Sequence, residues 1–190
     1  MSQEQVVLLG DDDKPVGTQS KETVHHRDTP YHLAFSCYLL NGSGEMLLTR
    51  RAITKVAWPG IWSNSVCGHP QPGEALRLAV ARRVEHELGM GIETPELLHP
   101  TFRYRATDCS GIVENEFCPV FVARTLDSPK PQPDEVMDYH WIALPALFTS
   151  IDNAPFLFSP WMVEQLATTQ VRQGLLEAVR RGECISEPSI

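Results

Sequence analysis

Asn64-Ser65-Val66-Cys67-Gly68-His69-Pro70 leads, after a short turn, into a segment from Glu74 to Leu88 with helical periodicity. At roughly 100° per residue, Leu76, Ala79, Val80, Val84 and Leu88 form one apolar stripe, and Gly89 supplies the left-handed residue that ends the helix. Arg83 and Glu87 fall inside that stripe, four residues apart, whereas Glu74, Arg82 and Glu85 fall on the solvated side. An i, i+4 ion pair at the stripe's edge would be worth about a few tenths of a kcal/mol. A charge turned inward needs a partner or a metal ion. A thiol, a glycine, an imidazole and a helix-starting proline just upstream make this stretch a candidate site.

The chain has 190 residues, which suits one domain with a substantial core. Five cysteines, odd in number and without a Cys-x-x-Cys pair, argue against a disulfide framework and for a reducing compartment. The apolar runs are too short to span a bilayer, and Met1-Ser2-Gln3-Glu4-Gln5 has neither a basic nor a hydrophobic region, so a cytoplasmic protein with no membrane span is expected. A formal charge of -8 argues against nucleic acid as a partner. The cations that exist are clustered, as Arg50-Arg51 with Lys55, Arg82-Arg83, and Arg103 with Arg105, which suits a small anion.

Outward from the central helix, Val6 to Leu9 and the turn before Val16 predict an N-terminal hairpin. Leu33 to Leu40 and Glu45 to Arg50 predict paired strands about Asn41-Gly42-Ser43-Gly44. Glu96 to Ala106, Ile112 to Ala123 and Val136 to Ala143 each read as one strand, and Ser159-Pro160 as the N-cap and first residue of a single helix through Arg180. In the strand after Gly111, period 2 puts Glu114 and Glu116 on one face, where two like charges are useful beside a multivalent cation. The fold class is α/β of the α+β type, a mixed sheet packed between helices, in one domain over 1-190. Its core runs from about 30 to 165, its C-terminal helix from about 160 to 181, and a frayed tail covers 182-190.

The run Gly68-x5-Glu74-x7-Arg82-Arg83-Val84-Glu85-His86-Glu87-Leu88-Gly89-Met90 resembles the Nudix box, Gly-x5-Glu-x7-Arg-Glu-aliphatic-x-Glu-Glu-x-Gly-aliphatic. It departs from the box where Arg83 and His86 replace glutamates that hold metal on a diphosphate in the hydrolases, which puts hydrolysis in doubt. Further motifs are similar to those of the type I isopentenyl diphosphate isomerases. They are Arg50-Arg51-Ala52-x-x-Lys55-x-x-Trp58-Pro59-Gly60-x-Trp62, the opening stretch, Phe102-Arg103-Tyr104-Arg105, Gly111-Ile112-Val113-Glu114-Asn115-Glu116 and Ser159-Pro160-Trp161.

The resemblance implies a reversible 1,3-shift of a double bond through a tertiary carbocation, on a small prenyl diphosphate, in isoprenoid biosynthesis. It implies Cys67, Glu116, Tyr104 and Trp161 as catalytic residues, with Glu116 the acid, Tyr104 its support, Cys67 the group that takes the C2 proton, and Trp161 the cation stabiliser. It implies a metal site of His25, His32, His69, Glu114 and Glu116, a ligand set that does not choose among Mn2+, Mg2+ and Zn2+. His26 neighbours His25, so that ligand is open by one position; His99 and His140 are given no role. Lys21, Arg51, Lys55 and Arg83 would hold the diphosphate, with a second ion, Mg2+, bridged to Glu87. No flavin is expected, and the chain is expected to be a monomer. A free cysteine titrates near ~8.5; nearby cations and the helix N-terminus are expected to favour the Cys67 thiolate. Cys37 and Cys118 read as small buried hydrophobes, and Trp58, Trp62 and Trp141 mainly as core. A Nudix hydrolase of nucleoside or prenyl diphosphates is the competing enzyme reading, and it has no use for Cys67 or Trp161.

Overall fold

The computed structural model describes residues 4–183. In chain order the elements are β1 (Gln5–Leu9), β2 (Pro15–Ser20), α1 (Lys21–Val24), β3 (His32–Leu33), β4 (Phe35–Leu40), β5 (Glu45–Arg51), β6 (Trp62–Ser63) and β7 (Val66–Gly68). Then come α2 (Leu76–Leu88), β8 (Glu96–His99), β9 (Arg103–Thr107), β10 (Val113–Phe117), β11 (Val120–Arg124), β12 (Val136–Ala143), α3 (Leu144–Asn153), a 3-10 turn (Pro155–Leu157), α4 (Pro160–Ala167) and α5 (Thr169–Glu183).

One sheet has the order β2-β1-β3-β10-β9; the other runs β12-β5-β4-β11-β8, with β6 added to β5 and β7 to β4. The β3–β10 and β4–β11 pairs are parallel, and the other pairs are antiparallel. Strand β4 shows why helices cover both faces of its sheet: all six of its residues are buried, and alternate side chains enter different cores. Phe35, Cys37 and Leu39 pack with Ala79, Val80, Val84 and Leu88 of α2. Tyr38 and Leu40 pack with Leu144 and Leu147 of α3, Met162 and Leu166 of α4, and Val171 and Leu175 of α5.

The N-terminal hairpin, the β4–β5 pair, β12 and the α2 stripe match the sequence reading. Three expected continuous strands are instead broken, and all three breaks meet at one level. The Ala34 amide donates to the Phe117 carbonyl (2.8 Å), Cys118 to Phe102 (2.8 Å), and Ser36 to Pro119 (3.1 Å). There β3 passes into β4, β8 into β9 and β10 into β11, so each chain segment leaves one sheet and joins the other. Pro119 contributes no amide, which ends the ladder of β10. Ligands on the first sheet are thereby brought against β4 and β7 of the second.

The single C-terminal helix expected from Ser159 to Arg180 is two helices. Thr168 is extended (φ -81°, ψ 132°), and its hydroxyl accepts from the Val171 amide (3.3 Å), starting α5 afresh. Pro160 opens α4 as expected, but the Ser159 side chain does not cap it; its hydroxyl lies 2.9 Å from that of Ser63 instead. Helices α1 and α3 were not expected. Of the expected frayed tail, Gly182 and Glu183 are helical, and 184–190 lies outside the described residues. Among the described residues no helix is long and apolar enough to cross a membrane.

Candidate active site

A cavity of about 220 Å³ opens where the two sheets meet, lined among others by Lys21, His25, Arg51, Lys55, Cys67, His69, Arg83, Tyr104, Glu114, Glu116 and Trp161. Period 2 places these side chains. On β7, Val66 turns to the α2 core, and Cys67 turns to the other face, opposite its β4 partner Ser36. On β10, Glu114 and Glu116 share a face, and Glu116 stands across the ladder from Tyr104 on β9 and His32 on β3.

His25, His32, His69 and Glu116 each bring one ligand atom to within 4.8 Å of all the others. The Nε2 atoms of His32 and His69 are 3.2 Å apart, and Glu116 Oε1 is 3.4 Å from the first and 3.3 Å from the second. Glu114 Oε2 lies 3.1 Å from His25 Nε2, yet both atoms are buried without a hydrogen-bond partner. His32 Nδ1 sits 2.8 Å from the Pro30 carbonyl, which takes a proton on that nitrogen and leaves Nε2 as a lone pair. Lone pairs converging at these separations fit an ion about 2.1 Å from each, since bonds of that length put neighbouring ligand atoms about 3.0–3.4 Å apart. The residues therefore fit a divalent metal. His26 is not in the group; its Nδ1 accepts from the Asp28 amide (3.1 Å).

Burial opposes the charge on Glu116, but His32 and His69 outweigh it and hold that carboxyl well below the usual range. Burial drives His69 down to about 3 against the pull of Glu116. Cys67 corrects an expectation. Burial pushes its thiol up to about 11, although Ser36 and Asn64 work the other way, so in the free site it is a thiol and not the thiolate. The Arg51 charge is a smaller, opposing influence.

Trp161 is 2 % exposed and lines the cavity. The Arg51 guanidinium lies 5.5 Å from its ring and the Tyr104 ring 5.7 Å away, with Trp58 edge-on at 5.5 Å. Arg51 is fixed by two hydrogen bonds to the Ala57 carbonyl, at 3.1 and 2.8 Å.

The inward charges of α2 are real and are paired. Arg83 is buried and donates to Glu87 through Nε (3.0 Å) and Nη2, and to Glu135 Oε1 (3.0 Å); Lys55 takes the other oxygen of Glu135. Gly68 makes room for this arginine, since a Cβ there would stand 2.9 Å from Arg83 Cγ and 3.1 Å from Phe35 Cζ. Glu4 lies 3.8 Å from Arg83, 3.5 Å from Arg82 and 2.5 Å from Lys21.

The chain is similar to known proteins at two levels. The NUDIX domain family matches residues 30–162. Curated relatives include a Klebsiella pneumoniae (strain 342) protein, 49% identical over 95% of this chain and 98% of its own, and an Escherichia coli (strain ATCC 8739) protein, 54% identical over 91% and 95%. Both are named isopentenyl-diphosphate Delta-isomerase. This chain belongs to that isomerase family within the NUDIX superfamily. Solved structures confirm the fold alone. A Deinococcus radiodurans protein aligns with TM-score 0.66 at 19% identity over 86% of this chain and 98% of its own. The MutT protein of Methanosarcina mazei Go1 aligns with TM-score 0.58 at 20% identity over 81% and 96%.

Of the residues expected from the isomerase resemblance, all but His32 and Glu87 line the one cavity. His32 is fully buried and is a member of the His/Glu group. Glu87 sits apart from that group, against Arg83, beside a smaller cleft shared with Arg51, Lys55 and Glu135. Sequence reasoning missed Glu135 and Glu4 as partners of the cations, and nothing in their sequence surroundings marks them. Asn64 and Ser36, which contact the Cys67 sulfur, were also missed. Asn64 lay within the stretch that decided the fold, and a buried amide beside a reactive thiol was the available signal.

Proposed function

We propose that this chain interconverts isopentenyl diphosphate and dimethylallyl diphosphate by adding a proton at C4 and removing one from C2 through a tertiary carbocation. One observation carries the reading: a thiol, a carboxylate, a phenol and an indole line the same cavity as Lys21, Arg51, Lys55 and Arg83. The names of the relatives agree with it.

The four cations take the diphosphate, and Glu87, whose Oε2 is left free of the Arg83 contacts, would hold a Mg2+ that accompanies it. The indole face of Trp161, already beneath a guanidinium, stabilises the developing cation by ~2 kcal/mol once desolvated and offers no lone pair to be alkylated. His25, His32, His69, Glu114 and Glu116 would hold a divalent ion, Mn2+, Mg2+ or Zn2+, which would supply the charge that orients Glu116. No electron changes hands, so no flavin is called for.

Toward dimethylallyl diphosphate, Glu116 gives the C4 proton and Cys67 takes the C2 proton. Each turnover then leaves a carboxylate and a thiol, the ionisation that the neighbours of Glu116 and the burial of Cys67 favour. Before the next forward turnover the Cys67 thiol must lose the proton it took and Glu116 must regain one, a net transfer from sulfur to carboxylate. The Tyr104 phenol, kept protonated by burial and by the charge of Glu116, lines the same cavity and can hold Glu116 in place but is not consumed. The reverse reaction starts from the resting ionisation directly. Free thiols at Cys37, Cys67, Cys109 and Cys118 suit work in the cytoplasm.

Purified protein incubated with isopentenyl diphosphate and Mg2+ should yield the allylic isomer. Free phosphate would favour the hydrolase, and no turnover would overturn both. Cys67→Ala and Glu116→Gln should each abolish turnover with the circular dichroism spectrum retained. A wild-type rate in either removes the assigned roles.

A further inference from the structure

Asn64 lies between β6 and β7, is 1 % exposed, and has no role in the reading above. Its Nδ2 donates to the backbone carbonyls of Cys37 (3.2 Å) and Val66 (3.0 Å). Turning the amide over would press its oxygen against those two carbonyl oxygens, so the network fixes the orientation. Oδ1 then faces three donors: the Cys67 thiol at 3.2 Å, the Trp161 indole N–H at 3.0 Å and the Ser63 hydroxyl at 3.0 Å.

We propose that Asn64 is a positioning residue that ties the thiol of Cys67 and the indole of Trp161 into one frame, a role that rests on the isomerase reading. Each group has one further anchor. The thiol lies 3.4 Å from the Ser36 hydroxyl, which accepts from Gln165 Nε2 (2.9 Å), itself oriented by the Tyr38 hydroxyl (2.8 Å). The indole N–H lies 3.0 Å from Ser63 Oγ. The anchor common to both is Asn64. A cysteine side chain otherwise chooses among three staggered rotamers, and α4, which carries Trp161, is reached from β7 only after more than ninety residues of chain. One oxygen accepting from both groups converts that distant relation into a local one. The thiol must meet C2 while the indole face meets the cation, so their mutual placement acts on the chemical step. Displacement by about 1 Å costs on the order of a hundredfold in rate.

Asn64→Ala should lower kcat about a hundredfold and leave KM for isopentenyl diphosphate nearly unchanged, because no cation of the diphosphate end bonds to Asn64. A folded Asn64→Ala protein with wild-type kcat overturns the proposal, and so does a loss confined to KM. Asn64→Ser keeps a small polar side chain too short to reach both donors, and it serves if Asn64→Ala does not fold. A fall in its kcat without a rise in KM supports the shared anchor, and wild-type kcat overturns it. Wild-type protein assayed alongside separates the two levels: if it fails to isomerise, the isomerase reading falls and takes this role with it, whereas if it turns over, the variants report on Asn64 alone.

Discussion

Glu135→Gln should loosen the protein and tighten its grip on diphosphate at once. Glu135 bridges Arg83 and Lys55, and its side chain is only 15% exposed. Burial opposes its charge, but Lys55 and Arg83 outweigh burial and bring its pKa from 4.5 to about 2. At 1.36 kcal/mol per pKa unit that gap is worth roughly 3 kcal/mol. Arg83 keeps Glu87 in the variant, and Lys55, 21% exposed, can turn to water, so about 2 kcal/mol should be lost. For a chain of this size that lowers Tm by about 4–8 °C at pH 7. The sign follows from the depressed pKa. The carboxylate's contribution is complete above the unfolded value of 4.5 and fades as pH falls toward about 2, so the two melting curves should converge over that interval. With one anion removed from the cationic cluster, inorganic diphosphate should bind several-fold more tightly in calorimetry. A Tm equal to wild type at pH 7, a gap that persists undiminished at low pH, or weaker diphosphate binding would each refute this account.

Three other outcomes follow from the site's construction. Stripping divalent metal by chelation should lower Tm by several degrees, with recovery on adding Mn2+, Mg2+ or Zn2+, because the atoms of His25 and Glu114 that lack hydrogen bonds would lose the ion they face. His32→Ala should co-purify with less metal by elemental analysis, and full metal content in that variant would count against the ligand set. Gly68→Ala puts a Cβ 2.9 Å from Arg83 Cγ, so it should cost about 1–3 kcal/mol and raise KM more than it lowers kcat. An unchanged KM would mean that Arg83 does not need that passage to reach the cavity.

The sequence revealed the chemistry of the site better than the path of the chain around it. Glu114 and Glu116 announce themselves through a strand's period of 2, and Cys67 and His69 as a thiol and an imidazole just before the helix; their roles were implied by the family resemblance. The three strands that cross between sheets were read as continuous because Ala34 and Cys118 are as apolar as their neighbours. Pro119 and Pro100 were the available warnings. The break at Thr168 was hidden for a similar reason: Leu166 and Val171 continue the apolar pattern across it. Glu135 was illegible because its partner charges lie 52 and 80 residues away in sequence. The thiolate expectation for Cys67 failed because it counted neighbouring cations but could not count burial, which dominates.

The departures from the Nudix box become intelligible when the carboxylates of α2 and its approach are followed one by one. Glu74 accepts from Arg82 Nε and Nη2, both at 2.7 Å, and from the Gln71 amide. Arg82 in turn holds the His69 carbonyl at 3.2 Å, so this pair orients a residue of the His/Glu group. Glu85 is exposed, and Glu87 is engaged by Arg83. The position that carries a glutamate in the hydrolase box carries Arg83, a cation on the cavity wall, and His86 is 58% exposed. On the proposed reading, the inward face of this helix offers the diphosphate the charge of Arg83 and one carboxylate, Glu87, already engaged through Oε1, which is a poor setting for the ions that cleavage by the Nudix hydrolases relies on. Arg83 on the same reading supplies an anchor where the hydrolase box has a glutamate, and the carboxylates and imidazoles that line the same cavity are left to serve the five-carbon tail.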